Sequence, residues 1–159
     1  MKINLIIYHT IITLSICCNF IMANKFEVSQ IVSGLNKPIY LTSINNSSDT
    51  LFIVEQRGLI HLFINESLSN IPLLDIRNRV HQPIMPGDER GMLGMAVHPD
   101  FRKNGNIFVY YIDRDDNSVL SKFIVDLETY KVNINLESIL MKFKQPYSNH
   151  NGGQLVFGP

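Results

Sequence analysis

Short apolar runs separated by turn residues constrain the fold of this chain more than any other feature. The clearest pair is TLFIVE and LIHLFI, residues 50–55 and 59–64, with Gln56-Arg57-Gly58 between them. Two β-rich runs joined by a short, glycine-containing connection predict a β-hairpin with the glycine in the turn. The pair therefore predicts two adjacent antiparallel strands.

The same pattern continues along the chain, with clusters of Asn, Ser, Asp, Pro and Gly between the runs. The segment LESILMKF fits either a strand or a short helix, because its apolar residues also recur at helical spacing. Many short strands with frequent turns predict an all-β fold, whether sandwich, barrel or propeller. A length of 159 residues fits one domain. The other strand-like runs are FEVSQIV, KPIYLTSI, IPLLDI, GMLGMAVHP, NIFVYYI, SVLSKFIVDL and GQLVF.

The first residues have the composition of a targeting segment. Lys2 precedes an apolar stretch from Leu5 to Met22, and small Ala23 precedes Asn24. This order predicts a secretory signal peptide over residues 1–23, cleaved near Ala23–Asn24. A membrane anchor needs about 20 apolar residues, and polar side chains interrupt this stretch. We therefore expect a secreted protein, extracellular or periplasmic, with no stable membrane span after cleavage.

Both cysteines, Cys17 and Cys18, lie inside the predicted signal peptide. A lipoprotein signal at either one is disfavoured, because Ile16 or Cys17 would stand just before the modified cysteine. The mature chain of residues 24–159 is thus expected to have no disulfide and no thiolate metal site.

Composition excludes several classes of function. The formal net charge is zero and no basic run appears, which argues against a nucleic-acid partner. The motifs of serine hydrolases, P-loop enzymes and zinc proteases are absent. The segment DRDDNS resembles a calcium loop, but Ser118 and Ile124 replace the required Gly and Glu. A hairpin turn explains that segment better.

His150, in the segment SNHNGG, is a candidate general base, because imidazole exchanges protons near neutral pH. Gly152 and Gly153 would let the backbone approach a flat ligand closely. Ordinary turn chemistry explains the same residues, and composition alone favours that interpretation. His61, His81 and His98 could be ligands in principle, but structural roles are favoured, since His61 lies in an alternating strand and His98 precedes a proline turn.

The GDERG loop is a second candidate. Asp88 and Glu89 offer carboxylates to a substrate hydroxyl or a cation, and Arg90 could pair with either. A solvated loop with a local ion pair of little energetic consequence is the favoured interpretation from the residues alone.

Two longer segments resemble a known family. GDERGMLGMAVHPDFRKNGNIFVYYI, residues 87–112, and QPYSNHNGGQLVFGP, residues 145–159, are similar to the glucose/sorbosone dehydrogenase family. This family includes soluble pyrroloquinoline-quinone (PQQ) dependent aldose dehydrogenases and hedgehog-interacting-protein-like proteins. The resemblance extends over residues 26–159, since GLNKPIYLTSI and LFIVEQRGLIHLF match the start of the domain.

The resemblance implies a six-bladed β-propeller of four-stranded antiparallel blades. Residues 24–159 would then hold about two blades and the first strand of a third. The family pattern continues past Pro159, so we expect this chain to be the N-terminal part of a longer, truncated domain.

The resemblance also implies roles for three residues. His150 stands at the position of the base that takes the proton of the sugar's anomeric hydroxyl while hydride passes to the quinone. Glu89 stands where those enzymes carry a cofactor-contacting glutamine, and Asn149 replaces an aspartate. Glu89 and Asn149 are therefore expected to bind the cofactor.

The implied cofactors are PQQ and calcium, with the calcium site outside this chain. The implied partners are an aldose substrate and an electron acceptor. The alternative is an extracellular binding protein of the hedgehog-interacting type that oxidises no sugar. A third possibility is that these 159 residues have no activity by themselves.

Overall fold

A computed structural model of the chain describes residues 26–44 and 49–158. The predicted signal peptide, residues 1–23, lies outside the described residues. Residues 31–159 form one compact unit, and residues 26–30 belong to a separate one. The strand predicted over FEVSQIV is not formed, since residues 26–32 have no assigned element. No helix of the described residues has the length and apolar character needed to cross a membrane.

The first sheet is an antiparallel meander, in which β1 pairs with β2 and β2 with β3. Two short strands, β4 and β5, both pair with the far side of β3. Glu55 pairs with Leu59 across the turn, and Gly58 has a φ of 106°. The predicted hairpin and its glycine turn are confirmed. The strands are β1 Pro38–Ser43, β2 Thr50–Glu55, β3 Leu59–Ile64, β4 Ser67–Leu68 and β5 Leu74–Asp75.

The second sheet repeats this arrangement in the order β6-β7-β8-β10, with β9 paired to the end of β8. A short helix, α1, joins β6 to β7, and a 3₁₀ helix over Ile134–Leu136 precedes β10. The ambiguous segment LESILMKF is a strand from Ser138 onward, where pairing with β8 satisfies its backbone, and its first residue, Leu136, ends the 3₁₀ helix. The elements are β6 Met92–Val97, α1 Phe101–Asn104, β7 Asn106–Ile112, β8 Asn117–Asp126, β9 Lys131–Val132 and β10 Ser138–Lys144.

The hydrophobic core lies between the two sheets, and β1 contacts β6. Alternate residues of each strand face it, as the period of two in a strand requires. Phe52 packs edge-on against Phe101 of α1, with ring centroids 5.7 Å apart. The first sheet contributes Phe52, Val54, Ile60 and Leu62, and the second contributes Met95, Ile107, Val109, Tyr111, Val119, Phe123 and Val125.

Each of the two packed antiparallel meanders has five strands but is four strand positions wide, since β4 and β5 share one side of β3, and β9 and β10 share one side of β8. This is the arrangement expected of neighbouring propeller blades. Residues 151–158, where the run GQLVF predicts a further strand, have no assigned element. Their backbone runs against β6 instead, since a Cβ added to Gly94 would lie 1.9 Å from the Gly153 carbonyl oxygen. No strand among the described residues pairs with this segment.

Candidate functional site

The loops at one end of the two sheets converge. They are the 56–58 turn of the first sheet, the 76–91 connection between the sheets, the 113–116 turn of the second sheet, and the segment 145–153 after β10. Side-chain hydrogen bonds link each of these loops to another. Candidate residues far apart in the sequence thus lie on one surface.

Glu89 and His150 meet on this surface. The backbone N–H of His150 donates a hydrogen bond to Glu89 Oε2 across 61 positions of sequence. His150 has a φ of 60°, in the left-handed region that residues other than glycine adopt uncommonly. Both residues are exposed, and the His150 imidazole has no hydrogen bond or ion pair within residues 26–44 and 49–158. The ring is therefore available to a ligand.

Asn149, the third predicted site residue, is also exposed. Its side chain makes no hydrogen bond to any residue that the structure describes. Asn149 lies beside His150 only because the two residues are adjacent in the sequence. Glu89, in contrast, is brought to His150 by a tertiary contact.

Asn151 anchors the segment that carries His150. It is 3% exposed, and its side-chain amide donates to the Ser148 carbonyl at 2.9 Å. The Tyr110 hydroxyl of β7 donates to the Asn151 carbonyl oxygen at 2.7 Å. Asn151 Oδ1 is buried without a hydrogen-bond partner among the described residues. A water molecule or a donor group of a ligand can satisfy such a buried acceptor.

The loop that carries Glu89 is held by buried charge. Arg90 donates two hydrogen bonds to Asp88, at 2.9 and 3.0 Å, and one to Asp116 at 3.1 Å. The Asp88 side chain is 2% exposed. Hydrogen bonding from Arg90 lowers the pKa of Asp88 to about 2, despite the opposing effect of burial. The ion pair is formed as the sequence suggested, but its aspartate is buried and not solvated as expected.

The His81 ring lies beside this ion cluster. Its ring nitrogens lie 3.5 Å from an Asp88 carboxylate oxygen and 3.3 Å from one of Asp116. The cluster thus joins the connection between the sheets to the 113–116 turn. It holds the GDERG loop in place around Glu89.

Gln56 is a residue of this region that sequence reasoning assigned only to a turn. Its side-chain amide donates to the carbonyl of Asp88 at 2.7 Å and to that of Arg90 at 2.9 Å. The two carbonyls flank Glu89. Local sequence carries no signal of such a contact, because its partners are 32 and 34 positions away.

The remaining two histidines among the candidates, His61 of β3 and His98 just after β6, contact neighbouring side chains. His61 Nε2 lies 3.2 Å from the carboxylate of buried Glu55 but makes no hydrogen bond there. His98 stacks on Phe108 and meets Phe157 edge-on, with centroids 6.4 and 5.3 Å apart. These contacts agree with the structural roles assigned to both residues.

The segment DRDDNS is a hairpin turn, as expected. The Asp113 carboxylate accepts hydrogen bonds from the backbone N–H groups of Asp115 and Asn117 and pairs with Lys142 at 2.7 Å. Within the described part of the chain, no three His, Cys, Asp or Glu side chains are grouped to hold a metal ion.

Comparison with known proteins identifies relatives for this arrangement. The glucose / sorbosone dehydrogenase family model matches residues 35–159. Hedgehog-interacting protein of Homo sapiens is 30% identical over 147 residues, covering 86% of this chain and 21% of that protein. The Mus musculus protein matches to the same extent. The chain therefore spans about a fifth of the length of these curated relatives.

Solved structures show the same fold. The PQQ-bound aldose sugar dehydrogenase of Streptomyces coelicolor matches with a TM-score of 0.66 and 19% identity, over 83% of this chain and 38% of that one. A glucose dehydrogenase-type oxidoreductase of Thermus thermophilus matches with a TM-score of 0.65 and 23% identity, over 82% and 37%. The predicted all-β, partial-propeller architecture is confirmed.

Proposed function

The chain belongs to the glucose/sorbosone dehydrogenase family, and we propose that it supplies the base of a secreted, PQQ-dependent oxidoreductase that oxidises the anomeric hydroxyl of aldoses. One observation carries this proposal. The exposed imidazole of His150 has no partner among the described residues, and the Glu89 carboxylate holds its backbone from a distant loop. Left-handed residues other than glycine that distant contacts support are often found at functional sites.

In the proposed reaction, a ring nitrogen of His150 accepts the proton of the anomeric hydroxyl. Loss of that proton lets the carbonyl form as the hydrogen on the same carbon departs with its electron pair. PQQ, when bound, supplies the two-electron acceptor. His150 is suited to the proton transfer because its ring is exposed and has no other partner within the described residues.

The described residues fit one edge of a flat, polar cofactor. Asn151 Oδ1 is a buried acceptor without a donor among these residues, and a Cβ added to Gly152 would meet nothing within 4 Å. Glu89 uses Oε2 for the His150 N–H, which leaves its other carboxylate oxygen for a hydroxyl. We propose that Glu89 and Asn149 line this edge. Calcium would be held by parts of a longer protein.

The test uses the full-length protein that contains this chain, reconstituted with PQQ and calcium and supplied with aldoses and an electron-accepting dye. We expect dye reduction, and we expect His150→Ala to lower its rate by about 10²–10⁴-fold, the usual contribution of a general base. Tyr147→Ala is the matched control, because Tyr147 is 75% exposed in the same segment. If the wild-type protein neither binds the cofactor nor reduces the dye, the enzyme proposal is wrong.

A second candidate is an extracellular binding protein without sugar oxidation. The observation that favours it is the 30% identity to Hedgehog-interacting protein of Homo sapiens and Mus musculus. Surface plasmon resonance of the full-length protein against a Hedgehog protein tests it. Binding there without dye reduction would favour this candidate, and dye reduction without binding would reject it.

A further inference from the structure

We propose that Gln56 is a positioning residue that sets the backbone of His150 through Glu89. The inference rests on the proposed role of His150 as the base. Gln56 lies in a turn of the first sheet, whereas Glu89, Asn149 and His150 come later in the sequence than that sheet. Three sets of contacts support the inference.

The first contact is between Gln56 and the peptide units around Glu89. The Gln56 amide group donates to the Asp88 carbonyl at 2.7 Å and to the Arg90 carbonyl at 2.9 Å. One side chain therefore bonds the backbone carbonyls of both residues next to Glu89. Because both bonds come from a single planar group, they fix the position of the loop and also its orientation.

Gln56 is itself held firmly. Its backbone N–H donates to the Lys37 carbonyl at 3.1 Å, and its carbonyl accepts from the Met92 N–H at 2.7 Å. A Cβ added to Gly91 would lie 2.4 Å from the Gln56 carbonyl oxygen, so the two loops approach as closely as a glycine allows. The Gln56 backbone is therefore fixed next to the loop that its side chain bonds.

The second contact is the ion cluster on the other side of the loop. Arg90 bonds Asp88 through two nitrogens and reaches Asp116 at 3.1 Å. Gln56 and this cluster together restrain the residues before and after Glu89. These restraints fix the backbone position from which the exposed Glu89 side chain reaches the His150 N–H.

The third contact is between Glu89 Oε2 and the backbone N–H of His150. His150 is in the left-handed conformation, which is unfavourable for a residue with a side chain. A hydrogen bond to a charged acceptor is stronger than one between neutral groups and offsets that cost. If Glu89 moves, His150 loses its support and the ring shifts. A displacement of about 1 Å can lower a rate by about 100-fold.

The direct test is hydrogen exchange of the His150 amide in the full-length, cofactor-free protein, measured by NMR or by mass spectrometry of a peptide spanning residues 148–152. Gln56→Glu keeps the size of the side chain and removes both N–H donors. We expect the His150 amide to exchange about tenfold faster in this variant, because local opening sets amide protection. Amides of β8 should be unchanged and report that the fold is intact.

Gln82→Ala is the matched control. The Gln82 amide also spans backbone carbonyls, those of Arg57, Arg77 and Val80, at 3.0, 3.0 and 3.1 Å. Those carbonyls do not flank Glu89, so His150 exchange should stay at the wild-type rate. Equal acceleration by Gln82→Ala and Gln56→Glu would overturn the proposal.

A Glu89→Ala background tests the order of the contacts. It also detects any effect of Gln56→Glu on His150 that does not pass through Glu89. With Glu89 removed, Gln56→Glu should cause no further acceleration at His150. A further acceleration there, or wild-type exchange in Gln56→Glu itself, would show that Gln56 does not act through Glu89.

Kinetics separate this inference from the proposed function. In an active protein, Gln56→Glu should lower kcat by about 10–100-fold with little change in KM, because misplacing the base leaves ground-state binding intact. Faster His150 exchange in a protein that never oxidises aldoses would support the positioning role and reject the proposed function. An unchanged kcat in an active enzyme would overturn the positioning role.

Discussion

At the scale of single residues, Asp88 and Glu89 are neighbours with opposite tasks. The Asp88 side chain is buried and bonded twice to Arg90, whereas the Glu89 carboxylate is exposed and bonds the His150 N–H. Removing a charged group from water is costly unless its partners compensate. The buried ion pair therefore serves to hold the loop, and the exposed carboxylate is left to act on the segment opposite.

The low pKa of Asp88 predicts a pH-dependent contribution to stability. Its pKa is about 2 in the folded protein, against an ordinary value of 3.8, so the stabilisation is complete above about pH 4 and is lost as pH falls towards 2. Asp88→Asn should lower the free energy of unfolding by about 1.5–3 kcal/mol near neutral pH. Urea denaturation at several pH values measures this.

The difference between Asp88→Asn and wild type should shrink as pH falls from 4 to 2. Asp115→Asn is the control, because Asp115 is exposed at the same end of the sheets. A constant difference between wild type and Asp88→Asn over this range would contradict the assigned ion pair.

At the scale of elements, the segment after β10 is packed against β6 through two glycines. The position of a Cβ on Gly94 is 1.9 Å from the Gly153 carbonyl oxygen, and a Cβ on Gly153 would meet Leu93 at 2.9 Å. Such distances leave no room for side chains. The close approach brings the segment that carries His150 back over the second sheet towards Glu89.

Gly94→Ala should force this segment away from β6. We expect a loss of about 1–3 kcal/mol in the free energy of unfolding, as for other overpacked sites, together with faster amide exchange over residues 148–155. Gly158→Ala is the control, because a Cβ there meets nothing within 4 Å. Wild-type stability and exchange in Gly94→Ala would show that the segment is not packed as described.

At the scale of the whole molecule, the second sheet ends in an edge strand, β10, whose residues are exposed on both faces. All seven residues of β10 are exposed, and the fractions are 54%, 52%, 55% and 46% for Ile139, Leu140, Met141 and Phe143. Exposed apolar strands of this kind favour association through the sheet edge or face. The family's propeller fold offers a neighbouring blade to cover such a face.

Residues 24–159 expressed alone should therefore self-associate. Leu140→Lys should reduce the association, because a charge on the exposed edge strand opposes contact between copies. Ile71→Lys is the control, since Ile71 is 74% exposed away from β10. Sedimentation velocity measures the distribution of species. A monodisperse monomer at tens of micromolar, with a sharp cooperative melt, would contradict this prediction.

The amino-acid sequence alone determined the features that depend on neighbours along the chain. The hairpin around Gly58 and the turn at Asp113 follow from glycine and aspartate chemistry over a few residues. The motif around His150 was also visible, because its residues are consecutive. Local patterns predict these features since their interactions join residues close in the chain.

Tertiary structure alone decided the rest. The segment 136–143 fits a helix or a strand by periodicity, and pairing with β8 made it a strand from Ser138 onward. The sequence showed Gln56 as a turn residue and Glu89 as part of a charged loop, with nothing to connect them. Hydrogen bonds across 32, 34 and 61 positions join Gln56, the Glu89 loop and His150, and only the packing of two sheets brings such distant residues together.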